Sequence, residues 1–254
     1  MTRGYAFGDS DQAARRLARV AAVFDAPTGA FLHAAVRRPV GLAIDLGCGP
    51  GHTTELLARC LRPARLAGLD SSGAFVEQAR RRVPAAEFTV HDVTRTPLPT
   101  GPADLLFARF LLSHLPDPGE AVHTWATQLA GGGLLLLDDV EWIQAGDPAL
   151  AEYLQVVAAL LEARGHRLEA GPLVDALPDP PGLTRRDSHV AVHPVDPGQS
   201  AAMFRANLSV WRHDPQAIDL AGEATLDRLD HALAEEPSGP VTWGLRQVSY
   251  ERTL

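Results

Sequence analysis

Three glycines spaced two residues apart form the clearest chemical signal in this sequence. Gly47, Gly49 and Gly51 follow a short apolar run that contains Asp45, and a helical pattern begins directly after them. Without a Cβ, a glycine backbone can approach a ligand closely, and a helix start favours negative groups. A dinucleotide fingerprint would need glycine at position 52, where this chain has histidine, so a nicotinamide oxidoreductase is disfavoured.

Acidic residues follow the next two apolar runs. Asp70 lies 25 residues after Asp45, about one helix and one strand later, where a carboxylate can accept hydrogen bonds from both hydroxyls of a ribose. The alternative role for Asp70 is to cap the following helix, although Ser71 or Ser72 can do so. Asp92 follows the third run, and on local sequence it fits a simple turn equally well.

Together these segments resemble the class I S-adenosylmethionine (SAM)-dependent methyltransferases. The match rests on the acidic-x-Gly-x-Gly-x-Gly pattern at 45–51, on Asp70, and on the segment 108–118 with its ending HLPDP. The resemblance covers about residues 40–139. It implies that Asp70 binds the ribose, that Asp92 meets the adenine amino group, and that Val93 offers a backbone N–H. The candidate cofactor-binding residues are Tyr5, Asp45, Gly47, Gly49, Gly51, Asp70, Ser71, Asp92, Val93 and Arg109.

A general base is needed only where the methyl acceptor is a weak nucleophile. His114 is our first candidate because it follows the fourth strand and an imidazole titrates near neutral pH, although a structural role in its loop is favoured. Asp139 and Glu141, after the fifth strand, are the next candidates. With Asp138 they could instead form a metal site, but we favour a polar rim and predict no metal.

The elements that must position these residues read as apolar runs alternating with amphipathic helices. That alternation predicts a parallel sheet covered on both faces, a doubly wound, Rossmann-like α/β fold. We expect an N-terminal helical cap over residues 1–39, with one helix through Phe24 and a second from Pro27 to Val36. A SAM-binding core over 40–139 follows, and 140–254 adds strands and lid helices to the same sheet. The resemblance implies seven strands with the last antiparallel, and Val241 to Tyr250 alternates like an edge strand.

Composition narrows the partners. The net charge of −8 disfavours nucleic acid as a partner. The sequence contains no apolar stretch of about 18 residues, so we expect no membrane span. Two cysteines and no signal-peptide pattern favour the cytoplasm. We expect a small-molecule acceptor, and a homodimer is left open. The resemblance points to natural-product methyltransferases of actinobacterial type, with residues near Tyr5 and the helices after Asp139 closing over the ligands. The alternative is a SAM-binding protein of this fold without methyl transfer, pericyclase-like or regulatory.

Overall fold

A seven-stranded sheet, with helices packed on both sides, organises the protein. The computed structural model describes residues 11–253, and Tyr5 lies outside them. The strand order is β3-β2-β1-β4-β5-β7-β6. The helices are α1 (Asp11–Ala35), α2 (His52–Leu61), α3 (Gly73–Arg82), α4 (Pro118–Ala126), α5 (Pro148–Ala163), α6 (Gly171–Ala176), α7 (Pro197–Trp211), α8 (Pro215–Ala221) and α9 (Glu223–Ala232). The strands are β1 (Leu42–Leu46), β2 (Arg65–Asp70), β3 (Glu87–Val90), β4 (Ala103–Arg109), β5 (Leu129–Ala145), β6 (Leu183–Val195) and β7 (Val241–Arg252).

The first five strands run parallel, as their apolar sequences predict. All five residues of β1 are buried, and Ile44 is paired with Ala67 of β2 on one side and Leu106 of β4 on the other. After β1 the chain builds β2 and β3 in one direction and then returns to build β4 and β5 in the other. Such a reversal opens a crevice at the carboxyl ends of the strands, where ligands bind in open α/β sheets.

Several helices begin at side-chain caps. Ser72 accepts a hydrogen bond from the N–H of Phe75 at the start of α3. Asp117 accepts from the N–H of Glu120 at the start of α4, with proline in the first turn, and Asp147 caps α5 in the same way. Each cap satisfies backbone donors that the first helical turn leaves without a partner inside the helix.

The two helices predicted for the N-terminal region are a single helix. α1 continues through Pro27, so the prediction of a new helix starting there is wrong. A proline removes one backbone hydrogen bond from a helix interior, but tertiary contacts can offset that loss. Thr28, the next residue, is fully buried, and its hydroxyl donates a 2.7 Å hydrogen bond to Asp138 Oδ2 on β5. The region around the proline is therefore fastened to the sheet.

β7 is antiparallel, as expected, but it is not an edge strand. It lies between β5 and β6 and pairs antiparallel with both, so β6 forms the edge. β5 is the longest strand described, with 17 residues, because it continues through Ala145 along β7. The alternation of polar and apolar residues in β7 suggested one solvent-exposed face, but the polar residues Gln247 and Ser249 are buried.

The residues after 139 build a second apolar cluster beside the sheet. It joins α5, α7, α8 and α9 to the end of β5 and to β7, with Tyr153, Phe204 and Trp211 among its members. Phe24 of α1 belongs to the same cluster. Within residues 11–253, none of the helices has the length and apolar character needed to cross a bilayer.

Candidate active site

The predicted ligand crevice is a cavity of about 890 Å³ at the carboxyl ends of the parallel strands. One side is formed by the glycine turn and by the ends of β2 and β3. The other side is formed by the segment after β4, by α1 and α7, and by β7. Pockets for drug-sized ligands usually have volumes of about 300–1,000 Å³, so this cavity has room for more than one small molecule or for one large one.

All three glycines of the turn have left-handed backbone conformations. The φ angles are +66° at Gly47, +52° at Gly49 and +88° at Gly51, a region that side-chain-bearing residues rarely adopt. A Cβ on Gly47 would come within 2.7 Å of Leu111 Cδ1, and one on Gly51 would come within 3.0 Å of Ala79 Cα. The turn is therefore tight at Gly47 and Gly51, and a residue with a side chain would be strained at any of the three positions.

Asp70 joins the end of β2 to this turn. Its Oδ2 accepts a 2.9 Å hydrogen bond from the N–H of Gly49, and its Oδ1 accepts one of 2.8 Å from the N–H of Ser72. Ser72, rather than Asp70, provides the side chain that caps α3. Asp70 and Ser71 both line the cavity. The carboxylate is thus oriented by two backbone bonds at the wall of the cavity.

Asp92 and Val93 also line the cavity, beyond β3. Partial burial raises the pKa of Asp92, but hydrogen bonds from the hydroxyl and the N–H of Thr94 outweigh it and hold the pKa below the usual range. The carbonyl of Val93 accepts a 2.8 Å bond from the indole N–H of Trp125. Asp92 is therefore ionised near neutral pH, and Val93 is fixed in place.

Asp45, the first residue of the glycine pattern, lies outside the cavity lining. It is buried beneath the turn, and its Oδ2 accepts a 2.6 Å hydrogen bond from the hydroxyl of Thr54 on α2. Burial raises its pKa to about 7. Asp45 therefore links β1 to α2, and its side chain does not line the cavity.

Arg109 lines the cavity and also anchors α1. Its side chain is only 4% exposed and forms a 3.2 Å ion pair with Asp25. The same nitrogen lies 3.3 Å from the hydroxyl of Thr28, which in turn is bonded to Asp138. Burial raises the pKa of Asp138. These residues form a buried polar network between α1 and the ends of β4 and β5.

The three candidate bases occupy different environments. Asp139 lines the cavity and accepts hydrogen bonds from the N–H groups of Leu112 and Val140, at 3.1 and 3.0 Å. Burial raises its pKa to about 7. His114 lines the cavity with its ring 6.0 Å from that of His166, centroid to centroid. Burial, with the charge of Arg16 and the neighbouring His166, lowers its pKa to about 3.

Glu141 is not at the cavity. A β-bulge in β5 leaves it without a partner residue in register, between Val140 and Trp142. Its carboxylate forms a two-pronged ion pair with Arg246 of β7, at 2.9 and 2.7 Å. The prediction of a base at Glu141 assumed simple continuation from Asp139, and the bulge is the physical reason why the two side chains separate.

Sequence reasoning missed an aromatic wall opposite the glycine turn. Phe24, Phe110, Phe204 and Trp243 line the cavity, whereas Trp142 and Trp211 do not. Phe110 has a left-handed φ of +53°, unusual for a residue with a side chain. Its N–H donates to the carbonyl of Asp138 at 3.0 Å, which helps to hold that conformation. The four aromatic residues come from distant elements, so no local motif marks them.

Among the described residues, no group of three or more His, Cys, Asp and Glu side chains is arranged to hold a metal ion. Cys48, within the glycine turn, is buried and not bridged, and burial raises the pKa of its thiol. The glycine turn therefore does not make Cys48 a reactive thiolate.

Comparison with known proteins gives a consistent result. Residues 44–137 match the family described as "Methyltransferase domain". A trans-aconitate 2-methyltransferase of Methylobacterium nodulans is 37% identical over 126 residues, which are 46% of this chain and 48% of that protein. This chain thus spans about half of that relative's length.

Solved structures share the fold. Coclaurine N-methyltransferase superposes with a TM-score of 0.59 at 13% identity, covering 90% of this chain and 72% of that one. The [4+2]-cyclase SpnF superposes with a TM-score of 0.56 at 19% identity, covering 91% of this chain and 81% of that one. At these identities the likeness concerns the arrangement of the chain alone.

Proposed function

We propose that this protein transfers a methyl group from SAM to a small-molecule acceptor, on the premise that residues 44–137 are a class I SAM-dependent methyltransferase domain. The observation that carries the proposal is the bond between Gly49 and Asp70. It brings the glycine turn after β1 and the carboxylate at the end of β2 to the same wall of one cavity.

The residues present fit a nucleoside cofactor. The glycine turn has no room for a Cβ at Gly47 or Gly51, so its backbone can lie directly against a ligand. Asp70 would accept hydrogen bonds from the two ribose hydroxyls, and Ser71 adjoins it. Asp92 is ionised and suits the adenine amino group, with Val93 beside it at the cavity wall.

SAM, when bound, supplies an electrophilic methyl group on a positively charged sulfur. The protein then has to exclude water and align the acceptor. Holding two reactants in place lowers the activation free energy by several kcal/mol. The aromatic side chains of the cavity provide an apolar wall that excludes water. Asp139, with its pKa near 7, is the candidate to take a proton from an acceptor hydroxyl.

Part of the acceptor side lies outside the matched domain. The family match ends at residue 137, whereas Phe204 and Trp243 lie beyond it. Relatives over the matched region include trans-aconitate 2-methyltransferases, which supports a small-molecule acceptor. We infer that the acceptor is a secondary metabolite, on the resemblance to natural-product methyltransferases, and two of the residues that shape its half of the cavity, Phe204 and Trp243, come from elements after the matched domain.

The test is incubation of the purified protein with methyl-labelled SAM and an extract of the producing cells, alongside calorimetric titration with SAM. Label transferred to a small molecule supports the proposal. Binding of SAM without transfer from any extract indicates instead a SAM-binding protein that does not methylate. Absence of SAM binding by folded protein contradicts both functions.

A further inference from the structure

The acceptor half of the cavity is lined by a connected series of aromatic rings. Phe24 lies edge-on to Phe110, with 5.3 Å between ring centroids, and 4.9 Å from Trp243. Phe204 lies 6.2 Å from Trp243 and stacks on Tyr153 at 4.7 Å. Aromatic rings at such separations favour a further flat ring packed against them, face to face or edge to face. The shape and chemistry of this wall thus suit a planar ligand.

One polar atom in that wall lacks a partner. Trp243 is only 9% exposed, and its indole N–H makes no hydrogen bond within the described part of the chain. A buried donor without a partner is unfavourable, and a bound water or an acceptor group of a ligand would satisfy it. An indole N–H can only donate, so the group that completes it must be an acceptor, such as an oxygen of the ligand.

The charges at this end of the cavity favour an anion. Arg16 of α1 lines the cavity and is 6% exposed, and Arg167 also lines it, next to His166. The charge of Arg16 helps to lower the pKa of His114 and opposes the rise that burial causes in the pKa of Tyr153, which places its positive field among the aromatic residues. Of the described carboxylates lining the cavity, Asp70 and Asp92 belong to the nucleoside half, and Asp139 is partly protonated near neutral pH.

We propose that the acceptor is a planar aromatic compound carrying an anionic oxygen, a carboxylate or a phenolate, with its ring among Phe24, Phe110, Phe204 and Trp243. The oxygen accepts a hydrogen bond from the indole N–H of Trp243 or forms an ion pair with Arg16. A cationic amine would also pack on aromatic faces, but the two arginines repel it. This inference rests on the proposed function only in treating the ligand as the methyl acceptor.

The experiment measures binding of matched small probes to the full chain by ligand-observed NMR, with S-adenosylhomocysteine present. The probes are benzoate, 4-nitrophenolate, benzylamine and cyclohexanecarboxylate. We expect at least one aromatic anion to bind about tenfold or more tightly than both benzylamine and cyclohexanecarboxylate. Comparison of benzoate with nitrophenolate distinguishes the two sources of the anionic oxygen. Equal or tighter binding of benzylamine, or no binding of either aromatic anion at millimolar concentration, overturns the proposal.

Two matched pairs of variants identify the contacts. Trp243→Phe keeps a ring but removes the N–H, and Trp211→Phe does the same at a buried tryptophan outside the cavity lining. Arg16→Gln removes the charge in the cavity, and Arg19→Gln removes an exposed one on the same helix. Affinity for the aromatic anion should fall at least about fivefold in one or both cavity variants and stay unchanged in both controls.

Equal effects within both pairs contradict the assignment. Titration with SAM is the separate readout for the proposed function. A protein that binds SAM but prefers benzylamine retains the proposed function and loses this inference. A protein that binds aromatic anions but no SAM retains the inference about the ligand and loses the function.

Discussion

The N–H of Gly49 donates a 2.9 Å hydrogen bond to Oδ2 of Asp70, across 21 positions of sequence. The bond links the loop after β1 to the end of β2, so the backbone that would contact a ligand and the carboxylate that would hold it are positioned together. A change at either residue should therefore disturb both.

Asp70→Ala should weaken SAM binding by about an order of magnitude or more. The change removes charge-assisted hydrogen bonds, which contribute roughly 1.5–3 kcal/mol each, and it releases the Gly49 N–H. Calorimetric titration of folded protein measures the dissociation constant. Asp104→Ala is the control, because Asp104 also accepts a backbone hydrogen bond, 2.8 Å from Leu42, at the opposite end of the strands. Similar dissociation constants for Asp70→Ala and the parent would remove Asp70 from the cofactor site.

Gly49→Val should abolish SAM binding and lower the melting temperature. The φ of +52° is strained for a β-branched residue, at a cost of about 1–3 kcal/mol, and the new side chain would occupy the cavity wall. Gly182→Val separates the two effects, since Gly182 has a φ of +77° with open space around it and does not line the cavity. We expect the same loss of stability there with normal binding. Normal binding by Gly49→Val would show that the turn does not cradle the cofactor.

The pH dependence of methyl transfer to a hydroxyl acceptor should follow Asp139. A base works when deprotonated, and burial raises the pKa of Asp139 to about 7, so kcat should rise with pH through about 7. His114 has its pKa lowered to about 3 by burial, so it is uncharged across the working range. Profiles at saturating SAM should lose the limb, with a fall of ~10²–10⁴ in kcat, in Asp139→Asn and keep it in His114→Gln. The reverse pattern would restore His114 as the base.

The raised pKa of Asp139 also predicts how stability changes with pH. The folded state holds this proton more tightly than the unfolded chain, whose ordinary value is 3.8. The contribution to stability is therefore fully present below about pH 4 and is lost as the pH rises through about 7. Urea unfolding should show Asp139→Asn gaining on the parent between pH 5 and pH 8. A constant difference between the two proteins would mean that burial does not raise this pKa.

Glu141→Ala should cost stability and leave kcat unchanged. The carboxylate forms two bonds with Arg246, and the two side chains are only 14% and 12% exposed, so the loss leaves a half-buried cation without its main partner. We expect a decrease of about 2–4 kcal/mol in the free energy of unfolding. Glu152→Ala is the matched control. It breaks a similar two-pronged pair with Arg228 that is exposed to solvent, for which little or no change in the free energy of unfolding is expected. A large fall in kcat for Glu141→Ala at full folding would return Glu141 to the mechanism.

The parallel half of the fold was predictable because its signals are local. Short apolar runs mark β1 to β4, and those of β1 to β3 contain or are followed by an acidic residue; the caps Ser72 and Asp117 mark helix starts. The glycine turn and Asp70 carry their chemistry in their own sequence. The position of β7 was not predictable in the same way. Gln247 looks like a solvent-facing residue in the sequence, but it is buried, where its side chain donates a hydrogen bond to Asp138.

The acceptor half of the site depends on packing between distant elements. Phe24 on α1, Phe204 on α7 and Trp243 on β7 meet only after the sheet and both helix layers have assembled. Apolar spacing in α7 predicts that Phe204 is buried, but it does not distinguish a cavity wall from a solid core. Glu141 shows the opposite error, since adjacency to Asp139 suggested a shared site that one extra residue in the strand removes.

The placement of β7 has a consequence for the order in which the protein can fold. β6 precedes β7 in the chain, yet within the described residues it pairs only with β7. Residues 183–195 therefore cannot join the sheet until residues 241–252 have been added to it. Trp243 arrives with the same strand, so during synthesis the nucleoside half can form before the acceptor half is complete. A nascent chain at that stage could hold cofactor but would lack the wall that selects what is methylated.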